Sequence, residues 1–341
     1  GDEIDRKSFL QIAFPTVMMA VVGYLLTFFV MFVLLLWLGL DGKTSALLSA
    51  IIGSTDPAAL IPTLKQLVFK DDFKRVSDLS VAESALNDAV GAIFTAAIAI
   101  MVLTDVGLND VSSLAQGLFS ADNVVLLGRQ FLFGIVAGVM GWLGMYAFER
   151  YKSDRVSQGV AEVPYDFAMV LAVPLATFVL AQLMHGNGFL AAFVAGLLAN
   201  FNHGTHAFHG LLHSMEVKIE SVAKPTIFMM VGPFVAIHDL IDTALLGFVI
   251  SILFILIARP LAVLVSLSPT RVTFKEMLFM CAVRETGVIP VVLAVITVAQ
   301  FPDMTQLMPL TAWVVIWTLT VLPALTPWWA RKLNMLSSPT P

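Results

Sequence analysis

The sequence predicts an all-α polytopic membrane protein in which two of the spanning helices are broken. Three observations predict it. Of the 341 residues, 58% are hydrophobic and only 13% charged, and mean hydropathy is +0.90. Soluble domains carry about 25% charged residues, so this chain has too little polar surface to stay in solution as one. Apolar stretches of roughly the 20 residues that a hydrocarbon core demands recur along the whole chain. Lysine and arginine gather in alternate connections.

Ten candidate spans follow in order. The first is 11–38. The second, 43–66, is interrupted by "GSTDPAALIP", where Gly53, Pro57 and Pro62 each weaken regular helix. The third, 80–103, includes "VAESALNDAVGAIFTAA", which carries Glu83, Asn87 and Asp88 among alanines and valines. Next come 123–148, 165–184, 188–201, 224–238 and 242–266, the last holding Arg259. The ninth, 273–299, is interrupted by "CAVRETGVIP", with Gly287 and Pro290, and the tenth is 305–329. Trp328 and Trp329 beside Arg331 and Lys332 read as an interfacial anchor at its end.

Charge sets the orientation. With the N-terminal loop in the cytoplasm, Arg6, Lys7, Lys65, Lys70, Lys74, Arg75, Arg150, Lys152, Arg155, Lys218, Lys224, Arg271, Lys275, Arg331 and Lys332 all fall on the cytoplasmic side. Lys43 alone falls outside, and Arg129, Arg259 and Arg284 lie within spans. The 104–122 loop carries Asp105, Asp110 and Asp122 without lysine or arginine, as an outside loop should. The net charge of −5 gives no sign of nucleic-acid binding, and Cys281, the only cysteine, excludes an intrachain disulfide.

The chain shows one internal symmetry. A broken span (43–66) is followed by one more span (80–103), and a second broken span (273–299) by one more (305–329). Residues 165–341 make six spans, so 1–103 reads as the second part of a matching six-span half. Residues 104–164 are then a linker helix with its flanking loops. This is the layout expected of an inverted-repeat secondary transporter. It implies three spans before Gly1, about thirteen in all; the opening "GDEIDRKSFLQ" reads as an internal loop rather than a signal peptide.

Asp56, Glu83, Asp88, Arg259, Arg284 and Glu285 fall inside spans. Each ionised group at mid-membrane costs about 2.5–3.5 kcal/mol on insertion scales, so such groups pair or face water. A pair of Glu83 with Arg284 would be structural glue; the cations are too few to match every carboxylate, which leaves Asp88 for function. Successive helical residues turn by about 100°. Ser84 and Asp88, four apart, therefore share one face, and Glu83 and Asn87 share another, with about 140° between Glu83 and Asp88. Hydroxyl and carboxylate oxygens suit a hard cation. In "STDPAA", Pro57 disfavours helix at Asp56, so local carbonyls lose their donors and become free to coordinate. Such broken backbone is tolerated at membrane depth where it lines a cavity or is buried in protein.

"TDPAAL" on a broken span, "ESALND" on the next and an arginine on a second broken span resemble the monovalent cation:proton antiporters. The match is to the NhaP-type branch, with Asn-Asp where electrogenic relatives have Asp-Asp, and it covers most of the chain. The resemblance implies an inverted-repeat antiporter fold with two crossing broken helices, and a homodimer in the bilayer whose core domain moves against a dimerisation domain. It implies an integral protein of the bacterial inner membrane and no cofactor. Asp88 would bind cation and proton in turn, and Ser84, Thr55 through its carbonyl, and Asp56 would complete the cation shell. Glu83 would hold Arg284 close to Asn87, and Arg259 in "ARPLAV" would be a second intramembrane basic position. The family's Gly-x-Arg-Gly pattern is "VRETG" here, so Glu285 competes with Glu83 for Arg284.

The expected activity is exchange of Na⁺ or K⁺ for H⁺ by alternating access, not an enzymatic reaction. Burial disfavours the ionised form of a carboxylate, so near neutral pH it can hold a proton or a dehydrated cation but not both. With Asn87 in place of a second aspartate, one titrating group predicts electroneutral one-for-one exchange. A potassium efflux system of the same superfamily would share the fold and the carboxylate. An intramembrane aspartyl protease is disfavoured: Tyr165-Asp166 and Pro323-Ala324-Leu325 resemble fragments of its signatures, but no Gly-x-Gly-Asp follows. Nothing resembles the filter loop of a channel. His203, His206, His209 and His213 read as interfacial histidines, with metal-ligand spacing or pH sensing as the alternatives.

Overall fold

The computed structural model describes residues 6–157, 167–201 and 235–337, with isolated positions between 222 and 232. Its regular elements are helical, apart from one isolated bridge between Phe69 and Leu336. Among the described residues, five helices are long and apolar enough to cross a membrane on their own: Leu10–Trp37, Asp71–Leu103, Ala121–Ala147, Ala244–Leu267 and Leu307–Lys332. The expected spans 43–66 and 273–299 are each two half-helices, and seven of the fifteen residues of the expected span 224–238 lie outside the described residues.

The chain forms two compact units. One comprises residues 1–9 and 125–226, the other 10–124 and 227–341. These spatial units cut across chain order, because the second gathers segments from both ends of the sequence.

In the first unit, α7 (Ala121–Ser157, from residue 125 onward), α8 (Phe167–Leu183) and α9 (Gly188–Phe201) pack through small residues. A Cβ at Gly138 would lie 2.7 Å from the Ala191 carbonyl oxygen, and one at Gly141 would lie 2.2 Å from Thr177 Oγ1. Close backbone approach of this kind is how helices associate where lipid removes the hydrophobic drive. Asn187 starts α9, its side chain accepting the Leu190 N–H at 2.9 Å.

The second unit holds a pattern that occurs twice. A helix with a π-helical interruption comes first: α1 (Arg6–Val17) passes through Met18–Gly23 into α2 (Tyr24–Trp37). A broken helix follows, α3 (Gly42–Ile52) and α4 (Pro57–Lys65), and then one long helix, α5 (Lys74–Leu103). After the short α6 (Val111–Leu118) and, later, α10 (Ile237–Asp242), the same order returns. α11 (Ala244–Leu253) passes through the π segment Phe254–Ala258 into α12 (Arg259–Leu267). Then come the halves α13 (Phe274–Ala282) and α14 (Val288–Gln300), and the long α15 (Leu307–Lys332). The two π-bearing helices pack on each other, with Ser266 Oγ 3.0 Å from Met19 Sδ. π segments are rare and gather at functional sites.

The breaks fall at 53–56 and 283–287, and the prolines begin the second halves rather than end the first. Pro57 is the first residue of α4 and Pro290 the third of α14. Both lie in a first turn, where a backbone N–H has no intrahelical acceptor to lose. Pro62, expected to weaken the span, is accommodated inside α4.

Candidate functional site

The breaks meet. The Asp56 N–H donates to the Glu285 carbonyl at 3.0 Å, so the interruption in one helix satisfies backbone in the other. The four half-helix ends that converge here carry dipole charge, negative at C-termini and positive at N-termini. The side chains answer that charge. Arg284 donates to the carbonyl of Gly53, the C-cap of α3. Arg259 donates to the carbonyls of Met280 and Val283 at the end of α13, at 3.2 and 3.3 Å. Asp56 Oδ2 accepts the N–H of Val288, the first residue of α14, at 2.9 Å. Gly287 makes this last contact possible, since a Cβ there would lie 2.1 Å from Asp56 Oδ2.

α5 packs against both broken helices and presents two polar faces to them. On one face, Asp88 Oδ1 accepts the Ser54 hydroxyl at 2.9 Å. Ser84, one turn earlier, has a buried Oγ with no hydrogen-bond partner among the described residues, and its carbonyl lies 3.5 Å from Thr55 Oγ1. The Ala59 and Leu60 N–H groups donate to the Asp56 carbonyl, one residue after Thr55, at 3.2 and 3.3 Å. On the other face, Glu83 accepts from Arg259 at 3.3 and 3.4 Å and from the Asn87 amide at 3.3 Å.

One expected pairing is overturned. The buried cation on Glu83 is Arg259, not Arg284. The reason is geometric. Arg259 leaves the first turn of α12, where one guanidinium reaches both Glu83 and the end of α13. Residue 284 sits in extended chain just after α13, which carries its side chain across to α3. There the Arg284 guanidinium lies 5.1 Å from the centre of the Phe254 ring, and its Nε and Nη1 have no hydrogen-bond partner. Glu285 Oε1 accepts the Thr63 hydroxyl of α4 at 3.0 Å.

The site therefore gathers Thr55, Asp56, Ser84 and Asp88 at one face of the crossing and Glu83, Asn87 and Arg259 at the other. Sequence reasoning missed Ser54, Thr63 and Thr318, the last of which bonds Thr286 in the second break at 3.3 Å. Hydroxyls are common in such helices; only Ser54, adjoining Thr55, carried a signal that could have found it. His203, His206, His209 and His213 lie outside the described residues, as does Asp166.

Comparison with known proteins bears on this arrangement. The family described as "Sodium/hydrogen exchanger, transmembrane" matches residues 1–332. A K(+)/H(+) antiporter NhaP2 of Shewanella oneidensis is 28% identical over 291 residues, covering 84% of this chain and 47% of that protein. A K(+)/H(+) antiporter NhaP of Alkalimonas amylolytica is 28% identical over 297 residues, covering 85% and 47%. A probable Na(+)/H(+) antiporter 2 of Methanocaldococcus jannaschii is 26% identical over 277 residues, covering 77% and 60%. The chain thus spans about half the length of the first two. Among solved structures, the sodium proton antiporter MjNhaP1 of Methanocaldococcus jannaschii at pH 8 superposes with a TM-score of 0.77 at 20% identity, over 97% of this chain and 81% of that one. That likeness is one of fold.

Proposed function

Because the chain belongs to the transmembrane sodium/hydrogen exchanger family, we propose that it exchanges a monovalent cation, Na⁺ or K⁺, for H⁺ by alternating access, as a transporter rather than an enzyme. One observation carries the reading. Glu83 faces Arg259 and Asp56 faces the start of α14, whereas the hydrogen bond to Asp88 comes from a neutral hydroxyl. Asp88 is thus a buried carboxylate placed to take a mobile ion.

The residues divide the work. Asp88 takes a proton or a dehydrated cation, and the two compete because both need the same lone pairs. Ser84 and the Thr55 carbonyl add oxygens of the kind that suit a hard monovalent cation. Asp56 stands at the edge of this shell with Oδ2 on Val288, so it orders the crossing beside the cation. Asn87 carries no charge and braces Glu83. One titrating group at the Asn-Asp pair gives one-for-one, electroneutral exchange. If the empty, ionised Asp88 cannot cross a low-dielectric barrier, only loaded forms change sides, which couples the two fluxes.

We place the protein in a cell membrane as a homodimer, with the loops around Arg6, Lys70, Arg150, Lys218, Arg271 and Arg331 in the cytoplasm. The charge asymmetry of the loops supports the orientation, and the resemblance supports the dimer. A potassium-selective reading is favoured by one finding: the Shewanella and Alkalimonas relatives are named as K(+)/H(+) antiporters. The test is fluorescence dequenching in proteoliposomes holding the full-length protein, comparing Na⁺, K⁺ and Li⁺ over a pH series. Cation-driven proton flux is expected for Na⁺ or K⁺. Absence of flux with all three across the series would sink the proposal.

A further inference from the structure

Ser54 lies in the first break, one residue before Thr55. Its side chain is fully buried, and its Oγ donates to Asp88 Oδ1 at 2.9 Å. α5 comes this close because position 91 is glycine: a Cβ there would lie 2.8 Å from Ser54 Cβ and 3.2 Å from Ser54 Oγ. Ser84, Asp88 and Gly91 follow one another at helical spacing on a single face of α5. Ser54 is therefore seated on that face beside both the carboxylate and the glycine. The Ser84 hydroxyl on the same face is buried without a partner among the described residues. A hydroxyl there has lone pairs to offer to a cation beside Asp88.

We propose that Ser54 is a positioning and coordinating residue of the ion site, its hydroxyl orienting the Asp88 carboxylate and lending an oxygen lone pair to the bound cation. A hydroxyl has one proton to donate and two lone pairs to offer. Ser54 can therefore keep its bond to Asp88 Oδ1 while its oxygen faces a cation held between Asp88 and Ser84. Its donated proton holds the carboxylate in place for the cation, so losing it weakens the cation against the competing proton. The inference rests on Asp88 being the transport carboxylate.

The experiment measures initial exchange rates of the full-length protein in proteoliposomes, against cation concentration at fixed pH and against pH at fixed cation. Ser54→Ala is expected to raise the apparent cation KM about tenfold, the loss of one hydrogen bond to a charged group. Its maximal rate stays near wild type, and its pH of half-maximal exchange moves to the alkaline side. Ser54→Cys keeps the volume but offers a weak donor and a poor ligand for a hard cation; it should show the same shifts, and it stands in if Ser54→Ala does not fold. A wild-type KM and pH profile in these variants overturns the inference, as does a fall in maximal rate at unchanged KM. Asp88→Asn is run in parallel. If it still exchanges, the reading of Asp88 fails; if it is inactive while the Ser54 variants match wild type, the Ser54 inference alone fails.

Discussion

Glu83 and Asp88 stand five positions apart on one helix and meet different partners. Helical spacing alone placed them on separate faces, and the structure keeps them there, with Arg259 at Glu83 and Ser54 at Asp88. Spacing could not choose between Arg259 and Arg284 for Glu83, because that choice depends on how separate helices are aimed. Two predictions belong to this scale. Asp88→Asn should abolish cation-driven proton flux while leaving the melting temperature in detergent at or above wild type, since an amide avoids the desolvation cost of a buried charge. Arg259→Ala should destabilise by about 3–5 kcal/mol, because it breaks the buried ion pair with Glu83. Arg284→Ala removes a bond to one carbonyl and should cost less. Melting curves in which Arg284→Ala is the more damaged of the two would overturn the assignment of the Glu83 pair.

At the scale of elements, the two breaks were legible because Gly-Ser-Thr-Asp-Pro and Arg-Glu-Thr-Gly interrupt apolar runs. Their mutual contact was not, since Asp56 and Glu285 are joined by a backbone hydrogen bond between residues 229 positions apart in the chain, which no local pattern reports. Gly287 is the point where one break receives the other. Gly287→Ala would set a Cβ 2.1 Å from Asp56 Oδ2, so the crossing must shift. Both a lower melting temperature and reduced exchange are expected, and wild-type values for both would show the contact to be dispensable. At one end of the same helices, Arg75 on α5 donates to Glu276 of α13 at 2.7 and 2.8 Å. On the opposite side, Lys43 donates to Asp105 at 2.6 Å in the loop after α5. The hydrogen bond and charge of Lys43 hold the Asp105 carboxyl below its ordinary value. A depressed carboxylate stabilises the fold above its unfolded pKa and loses that contribution as pH falls through its folded one. The pair is exposed, so Asp105→Asn should leave the melting temperature at neutral pH almost unchanged. A marked fall would mean that this loop closes the outer end of the bundle.

At the scale of the whole molecule, the order of π-interrupted helix, broken helix and long helix occurs at both ends of the second unit. We take this as support for the repeat division into 1–103, 104–164 and 165–341. Under the proposed exchange, a single titrating carboxylate at the Asn-Asp pair lets one charge enter for each that leaves. Exchange in proteoliposomes should therefore be the same with the membrane potential clamped at zero or set by a potassium gradient and valinomycin, using Na⁺ as the exchanged cation. Rates that rise with inside-negative potential would show a second titrating group in the cycle, and Glu285→Gln would then identify or exclude the extra carboxylate in the second break.

The sequence by itself determined the class of molecule, the positions of both breaks and the two faces of α5. These are consequences of local rules: the length of an apolar run, the backbone limits of glycine and proline, and the turn per residue of a helix. Only the tertiary structure decided which arginine meets Glu83, that Asp56 and the arginines answer half-helix ends, and that Ser54 holds Asp88. A buried charge takes whichever opposite charge, dipole end or hydroxyl is within about 3 Å, and that neighbour is fixed by the crossing of elements far apart in the chain.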